Sequence, residues 1–241
     1  MLKQILPFLL SLFAFFTTVA QKNTTASDFF KKGIDFKNKN MFPEALGAFN
    51  KAITLNKNYD SAYIEIGNIN LQTGQFDQAI NNFKKAITIN PASTQALFAL
   101  GKVYRDAKPN YDSALICFKA AVLIDSTNKE FLYSIAWCYN AKGEYENAIP
   151  IAIKALEIDN TYKPAYSELG HAYRRTNKFA EAIEQFKKNL AVSVVDLPIY
   201  YSGMCYIELK DKVGALSQYE ELKKINPKMA ESLLKRIDKM K

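Results

Sequence analysis

Hydrophobic residues recur along most of the chain at spacings of three and four, the pattern of helices that bury one face. In the clearest stretch, Tyr63 and Ile66 lie on one such face, and Ala79 and Phe83 lie on the next. Gly74 stands between them, where the end of a helix favours a residue that tolerates the left-handed conformation. The stretch therefore predicts two helices joined by a tight turn. Equivalent turn residues elsewhere are Asn40, Gly143 and Asn177.

The pattern occurs six times, at intervals of 33 to 35 residues. An alanine marks the second helix of each unit, at Ala45, Ala79, Ala114, Ala148, Ala182 and Ala215. A small residue precedes each alanine by twelve or thirteen positions, namely Gly33, Gly67, Gly101, Ala136, Gly170 and Gly203. An aromatic residue follows by four positions in every unit except the fourth, which has Ala152. Six copies in phase predict a stack of helix pairs.

These positions resemble the tetratricopeptide repeat family, whose unit is about 34 residues long. The second unit carries the resemblance most clearly, with Tyr63, Ile66, Gly67, Ala79, Phe83, Ala86 and Pro91. The resemblance covers residues 26–241. It implies an all-α fold, a right-handed α-solenoid of six helix pairs with a C-terminal capping helix. We assign the repeats to 26–59, 60–93, 94–128, 129–162, 163–195 and 196–228, and the cap to 229–241.

The first 25 residues have a different pattern. A basic residue, Lys3, and an apolar stretch over residues 5–16 precede small residues that end at Ala20. This order is typical of a secretory signal peptide, so we assign residues 1–20 to it and 21–25 to a short N-terminal segment. The apolar stretch is shorter than the roughly 20 residues that a membrane-spanning helix needs. We expect cleavage near Ala20 and an exported protein, periplasmic or secreted; an uncleaved anchor stays an alternative.

The amino-acid composition narrows the classes of function that the protein can have. Hydrophobic residues make up 49% of the 241 residues, which excludes wholesale disorder. A formal charge of +8 is modest for this length, so we expect no nucleic-acid partner. Seven basic residues lie between 223 and 241, but Glu231 and Asp238 interrupt them. Contact with an anionic membrane surface is therefore less favoured than a solvated face of the capping helix.

The residues that usually carry chemistry are scarce. His171 is the only histidine, and no phosphate-binding loop, nucleophile elbow or zinc motif occurs. We therefore expect no cofactor, no metal site and no enzymatic activity, an enzyme acting through His171 being the disfavoured alternative. Cys138 and Cys205 occupy small packing positions of first helices. A disulfide between Cys117 and Cys138 is conceivable in an oxidising compartment and is left open.

The resemblance also implies where a partner binds, because the first helices of such stacks line a concave groove. The groove residues we single out are Phe98, Lys102, Arg105, Tyr133, Trp137, Asn140, His171, Arg174 and Arg175. Aromatic and basic side chains together suit an extended peptide with apolar anchors and an acidic group or C-terminal carboxylate. The alternatives are a solvated surface for the basic residues and a core position for Trp137.

Some family members hold acidic C-termini with a two-carboxylate clamp of lysine and asparagine. Asn68 follows Ile64 rather than a lysine, and Ala99 stands where the next asparagine is needed, so the clamp is not reproduced. The sequence thus predicts a non-enzymatic scaffold of the cell envelope that binds a protein or peptide. The alternative is a structural solenoid that self-associates through its convex face or its ends. Neither the partner nor the oligomeric state follows from the sequence.

Overall fold

The computed structural model describes residues 24–190 and 195–240, where it contains helices and turns but no strand. The predicted signal peptide, residues 21–23, residues 191–194 and Lys241 lie outside the described residues. The described residues form thirteen α-helices: α1 Ala26–Asn38, α2 Phe42–Leu55, α3 Asp60–Gln72, α4 Phe76–Ile89, α5 Thr94–Lys102, α6 Tyr111–Ile124, α7 Lys129–Lys142, α8 Tyr145–Ile158, α9 Lys163–Arg175, α10 Phe179–Leu190, α11 Asp196–Glu208, α12 Lys212–Ile225 and α13 Pro227–Ile237.

The helices form six consecutive pairs followed by a single final helix. Each first helix packs against the second helix of its own repeat, and each second helix packs against the first helix of the next repeat. The final helix, α13, packs against both α11 and α12. The all-α solenoid of helix pairs is thereby confirmed. None of the described helices combines the length and the apolar character needed to cross a bilayer.

The turns within the repeats use the residues that the sequence indicates. Asn40, Gly74, Gly143 and Asn177 all have positive φ angles, between 57° and 79°. This conformation reverses the chain at the end of a first helix, so that the second helix can fold back along it. Lys210 adopts the same conformation in the sixth repeat, with φ 59°, although its residue type gives no such signal.

The extra residue of the third repeat lies in a different place from the one its sequence suggests. A lengthened turn around Lys108 is the simplest expectation. Instead, helix α5 widens at its C-terminal end into a π-helical segment, Val103–Ala107. The amide of Lys108 donates to the carbonyl of Val103 at 2.9 Å, five residues earlier, which accommodates the additional residue within the helix.

The recurring glycine and phenylalanine form one packing unit in four of the repeats. Phe49, Phe83, Phe118 and Phe186 are buried with at most 1% of their surface exposed. A Cβ atom added to the glycine on the facing helix would lie only 2.5 to 2.6 Å from a ring carbon. The glycine is therefore required because the ring occupies the space of a side chain. The fourth repeat has alanine at both positions, Ala136 and Ala152, and both are buried.

The end of the solenoid replaces this phenylalanine with a residue of the capping helix. A Cβ atom at Gly203 would lie 2.6 Å from a methyl carbon of Leu233, which is fully buried. Tyr219, at the phenylalanine position of the sixth repeat, is only half-buried. Helix α13 starts at Pro227, two residues before the assigned boundary, because the Asn226 side chain accepts a hydrogen bond from the Met229 amide and caps it.

Candidate functional site

A cavity of about 300 Å³ lies between three first helices, α7, α9 and α11. Its lining residues are Trp137, Asn140, Ala141, Ser167, Glu168, His171, Phe186, Leu197, Pro198 and Tyr201. Three of the predicted groove residues, Trp137, Asn140 and His171, therefore meet at one place. The wall combines aromatic rings with a carboxylate, an amide and an imidazole, the mixture of apolar and convergent polar groups that is typical of a binding site.

The polar groups of the cavity belong to a series of contacts between successive repeats. In this series, residue twelve of one repeat meets residue six of the next. We call each such contact a junction pair and number it by the earlier of its two repeats. Lys37 and Glu65 form the first, with Nζ 2.6 Å from Oε2. The other described junction contacts are a 3.2 Å hydrogen bond from Arg105 to Ser134, a hydrogen bond from Asn140 to Glu168, and the Arg174 guanidinium 4.8 Å from the Tyr201 ring centroid.

The Asn140–Glu168 junction pair forms the polar wall of the cavity. Asn140 Nδ2 donates to Glu168 Oε2 at 2.8 Å and to the Glu168 backbone carbonyl at 3.0 Å. Burial raises the pKa of Glu168, and only the Asn140 hydrogen bond and the charge of Arg105 act in the opposite direction. Asn140 Oδ1 is buried and has no hydrogen-bond donor within the described chain. The junction thus has more acceptors than donors.

Trp137 lies between the core and the cavity. Its ring is half-buried and makes an edge contact with Tyr111 at 5.8 Å between centroids. The Arg105 guanidinium lies 5.5 Å from the Trp137 ring centroid and is held by Asp106 through two hydrogen bonds of 2.6 and 2.8 Å. Because its charge is already paired, Arg105 supports the indole rather than offering a free cation to an acidic ligand.

Two other predicted cations lie one turn further along α9. Arg174 and Arg175 line a neighbouring cavity of about 370 Å³ with Met204 and Glu208. Arg175 is exposed and lies over the ring of Tyr145, whereas Arg174 is half-buried over Tyr201. The Nε atom of Arg174 is buried, and no acceptor for it exists among the residues that the structure describes. This second cavity, unlike the first, presents positive charge.

The remaining predicted groove residues lie outside both cavities. The ring of Phe98 is half-buried in the core between the third and fourth repeats, 5.6 Å from Phe118 and 5.0 Å from Phe131. Tyr133 is also half-buried, and its ring makes an edge contact with Tyr162. Lys102 is exposed, with its amine 5.7 Å from the Phe98 ring. Phe98 thus has a packing role that the sequence did not indicate.

Seven of the ten cavity residues were absent from the set that the sequence indicated. Glu168, Leu197 and Tyr201 line the cavity, and two of these occupy position six of their repeats. No residue at that position was included in the predicted groove. The available signal was the unusual chemistry at this position, because a carboxylate and a tyrosine replace the alanine or serine of the third and fourth repeats, Ala99 and Ser134.

His171 faces the cavity from the middle of α9. Its ring lies 6.0 Å from that of Tyr145 and 6.1 Å from that of Tyr201. Burial, followed by the charges of Arg174 and Arg175, lowers the pKa of His171 from 6.5 to about 4. The imidazole is therefore neutral at pH 7.

A pH dependence of stability follows from this shift. The unfolded chain takes up a proton on His171 near pH 6.5, whereas the folded chain resists protonation down to about pH 4. We expect His171 to lower the free energy of unfolding by up to about 3 kcal/mol as the pH falls through this window. Urea denaturation of wild type and His171→Gln at several pH values measures the difference between them.

The carboxyl groups are the same in both proteins, so their contribution to the pH dependence cancels when the two are compared. Among them, Glu168 opposes the trend because a raised carboxyl pKa favours the folded state at lower pH. The expected result is a flatter pH profile for His171→Gln between pH 6.5 and 4 than for wild type. Parallel profiles would show that the imidazole is not protected from protonation.

The three cysteines are free thiols and all are buried, so the Cys117–Cys138 disulfide is not formed in this structure. Burial raises the pKa of Cys117 to about 11 and those of Cys138 and Cys205 to about 12. Their thiols are therefore protonated and unreactive near neutral pH. Within residues 24–190 and 195–240, no group of three or more His, Cys, Asp and Glu side chains is placed to hold a metal ion.

Stacked helix pairs with a cavity on the first helices define an α-solenoid of the class that binds other proteins. Family models agree: one described as TPR repeat matches residues 67–106, and models described as tetratricopeptide repeat match 130–162, 165–194 and 199–228. The chain belongs to the tetratricopeptide repeat family. Repeat proteins of this family generally serve as scaffolds for protein interactions and are generally non-enzymatic.

Individual relatives resemble parts of the chain. Small glutamine-rich tetratricopeptide repeat-containing protein 2 of Mycosarcoma maydis is 29% identical over 41% of this chain, but the match spans only 28% of that protein. The structure of YrrB, a TPR protein with an unusual peptide-binding site, has a TM-score of 0.69 and 22% identity over 78% of this chain and 98% of its own. PilW, a type IV pilus biogenesis factor, has a TM-score of 0.71 and 16% identity. The match covers 87% of this chain and 98% of PilW. These structural likenesses show the fold.

Proposed function

We propose that the protein binds an extended segment of a partner protein in the groove formed by α7, α9 and α11, and that it does so in the cell envelope. One observation carries the groove proposal: the cavity of about 300 Å³ is lined by the half-buried rings of Trp137, His171 and Tyr201 beside Asn140, whose Oδ1 has no donor within the described chain. Burying such groups against a ligand is favourable because the apolar walls supply binding energy and the polar atoms supply specificity.

The length of the groove supports an extended segment rather than a small molecule. The Trp137 cavity and the Arg174–Arg175 cavity lie between the same two helices, α9 and α11, one helical turn apart. A chain laid along these helices reaches both, since one turn of helix spans about 5.4 Å and an extended residue about 3.3 Å. The solved structure of YrrB, which has this fold, is described as having a peptide-binding site.

The envelope location has separate support. The basic start, the short apolar stretch and the small residues up to Ala20 are the pattern of an export signal. A chain that begins at Gln21 after cleavage still contains all six repeats. Export thus leaves the binding groove intact, and the partner is expected to be another envelope protein.

The test is an affinity capture from envelope extract with the mature protein from Gln21. Wild type is compared with a Trp137→Ala/Arg174→Ala variant, which removes one aromatic and one cation from the two cavities. We expect the variant to lose bound partners by about tenfold or more, as is typical for buried aromatic and arginine anchors. Captured proteins are identified and their affinities are then measured by calorimetry.

A matched control removes one aromatic and one cationic side chain from a different repeat. In the second repeat the Lys85 amine lies 5.6 Å from the Tyr63 ring, outside both cavities. A Tyr63→Ala/Lys85→Ala variant should keep the partners if the groove is the binding surface. Circular dichroism confirms that both variants are folded. Equal capture by wild type and the groove variant would refute the groove proposal.

A second candidate rests on exposed apolar residues of a second helix. On α6, Ile116 is 70% exposed and Leu123 is 88% exposed, and they lie two turns apart on one face. Such residues suit self-association through the outer surface of the solenoid. A mature protein that sediments as a dimer, and as a monomer after Ile116→Ser/Leu123→Ser, would favour this candidate.

A further inference from the structure

The first and fourth junction pairs are equivalent in position but differ in charge. Lys37 and Glu65 are separated by 28 residues, as are Asn140 and Glu168, and each pair joins position twelve to position six of the following repeat. In the first pair an ammonium group neutralises the carboxylate at 2.6 Å. In the fourth pair a neutral amide takes the place of the lysine. The fourth junction therefore keeps the carboxylate of the first and lacks its cation.

The missing cation leaves Glu168 without a counter-charge. Glu168 forms no ion pair with any residue of the described chain, and burial raises its pKa. The charge of Arg105 acts on it, but that guanidinium is bound by Asp106. Asn140, only 8% exposed, adds an Oδ1 atom that has no donor. The half-buried Glu168 carboxylate lines the cavity, so it can accept a hydrogen bond from an external donor.

The cavity beside Glu168 has room for the missing cation. The cavity of about 300 Å³ is lined by Glu168, Asn140, Trp137 and Tyr201. This volume is roughly ten times that of a water molecule in the liquid, which is enough for a long side chain. We propose that the cavity receives a lysine or arginine side chain of the partner segment, whose cationic group pairs with Glu168. This inference rests on the proposed binding of a partner in the groove.

Cationic chemistry fits this cavity better than the acidic group that the sequence suggests. A carboxylate placed here would meet Glu168, whereas an ammonium group has three N–H donors and can donate to the Glu168 carboxylate. The aromatic wall adds attraction for a cation. Arg174 and Arg175 lie one turn away and make entry of a cation from their side unfavourable. They favour an acidic residue of the same segment, next to the basic one.

Trp137 makes the test direct because it is the only tryptophan of the chain and lines the cavity. Its indole N–H gives the one indole signal in a proton–nitrogen correlation spectrum. The probes are the acetylated, amidated tripeptides Ala-Lys-Ala, Ala-norleucine-Ala and Ala-Glu-Ala at millimolar concentrations. We expect the lysine peptide to shift the indole signal saturably. The norleucine peptide, which has no charge, should bind at least about tenfold more weakly.

Two variants link the shift to Glu168. Glu168→Gln keeps the shape and the hydrogen-bonding partner but removes the charge, so it should weaken binding of the lysine peptide by about tenfold or more. Asn140→Lys recreates the pair of the first junction and should abolish binding because the protein then supplies its own cation. Glu181→Gln, an exposed carboxyl on α10, is the matched control and should bind as wild type does.

The outcomes separate this inference from the proposed function. Equal binding of lysine and norleucine peptides, or unchanged binding by Glu168→Gln, overturns the cation assignment. Partner capture that depends on Trp137 would then still support the groove. Conversely, a lysine-specific indole shift without any Trp137-dependent partner would retain the cation site and refute the partner-binding groove. Spectral dispersion shows in each case whether the variant is folded.

Discussion

Replacing Phe83 by alanine is expected to lower the free energy of unfolding by about 3–5 kcal/mol, because the ring is fully buried and its removal leaves a cavity. The same loss is expected for the equivalent ring in the repeats that share this packing. The ring fills the space beside Gly67, where an added Cβ would lie 2.6 Å from the nearest ring carbon. Residues 67 and 83 therefore form one coupled unit across two helices.

The coupling predicts that a second substitution partly compensates for the first. Gly67→Ala alone should be destabilising by about 1–3 kcal/mol because its methyl group overpacks against the ring. In the Phe83→Ala background the clash is gone, and alanine is about 1 kcal/mol better than glycine inside a helix. Gly67→Ala should therefore change sign and stabilise the Phe83→Ala protein by about 1 kcal/mol. The fourth repeat shows the same combination, Ala136 with Ala152.

Urea denaturation of the four proteins of this double-mutant cycle measures the coupling. Ala136→Gly in the fourth repeat is the matched control, because it exchanges the same two residue types where no phenylalanine faces them. It should be destabilising through helix propensity alone, by about 1 kcal/mol. If Gly67→Ala has the same effect with and without Phe83, the two residues do not compete for space and the interpretation fails.

These packing units explain why the fold could be predicted from the sequence. The glycine, the alanine and the phenylalanine each recur at fixed intervals because each repeat solves the same packing problem with the same residues. Departures were harder to interpret. The extra residue of the third repeat lies in the π-helical segment at the end of α5 and not in the following loop. In the sixth repeat, Leu233 of the capping helix fills the space beside the glycine that a phenylalanine fills elsewhere. Neither departure can be recognised from the periodicity of the sequence.

The candidate site was predictable only in part, and the reason is geometric. Trp137, Asn140 and His171 were identified because the family places such positions on the groove face. Glu168 was not, because its role depends on a junction pair with the preceding repeat. Comparing position twelve of each repeat with position six of the next reveals that only one junction has a carboxylate without a cation. That comparison needs the register of the repeats, which the structure supplies.

The second large effect on stability is expected for a substitution in the capping helix. Leu233→Ala is expected to lower the free energy of unfolding by about 2–5 kcal/mol, because the side chain is fully buried against Gly203 and packs with Ile199 and Leu222. In a solenoid each repeat is stabilised mainly by its neighbours, so damage at one end acts first on that end. The sixth repeat should therefore unfold before the centre.

Two probes distinguish this local loss from uniform weakening. Circular dichroism reports on all helices, whereas the fluorescence of Trp137 reports on the fourth repeat, since no other tryptophan is present. For Leu233→Ala we expect the dichroism midpoint in urea to fall below the fluorescence midpoint, with wild type showing a smaller separation. Leu234→Ala, which changes a half-buried neighbour on the same helix, is the matched control and should have a smaller effect. Midpoints that fall together would mean that the cap stabilises the whole solenoid as one cooperative unit, because loss of Leu233 would then be felt as strongly at Trp137 as at the C-terminal helices.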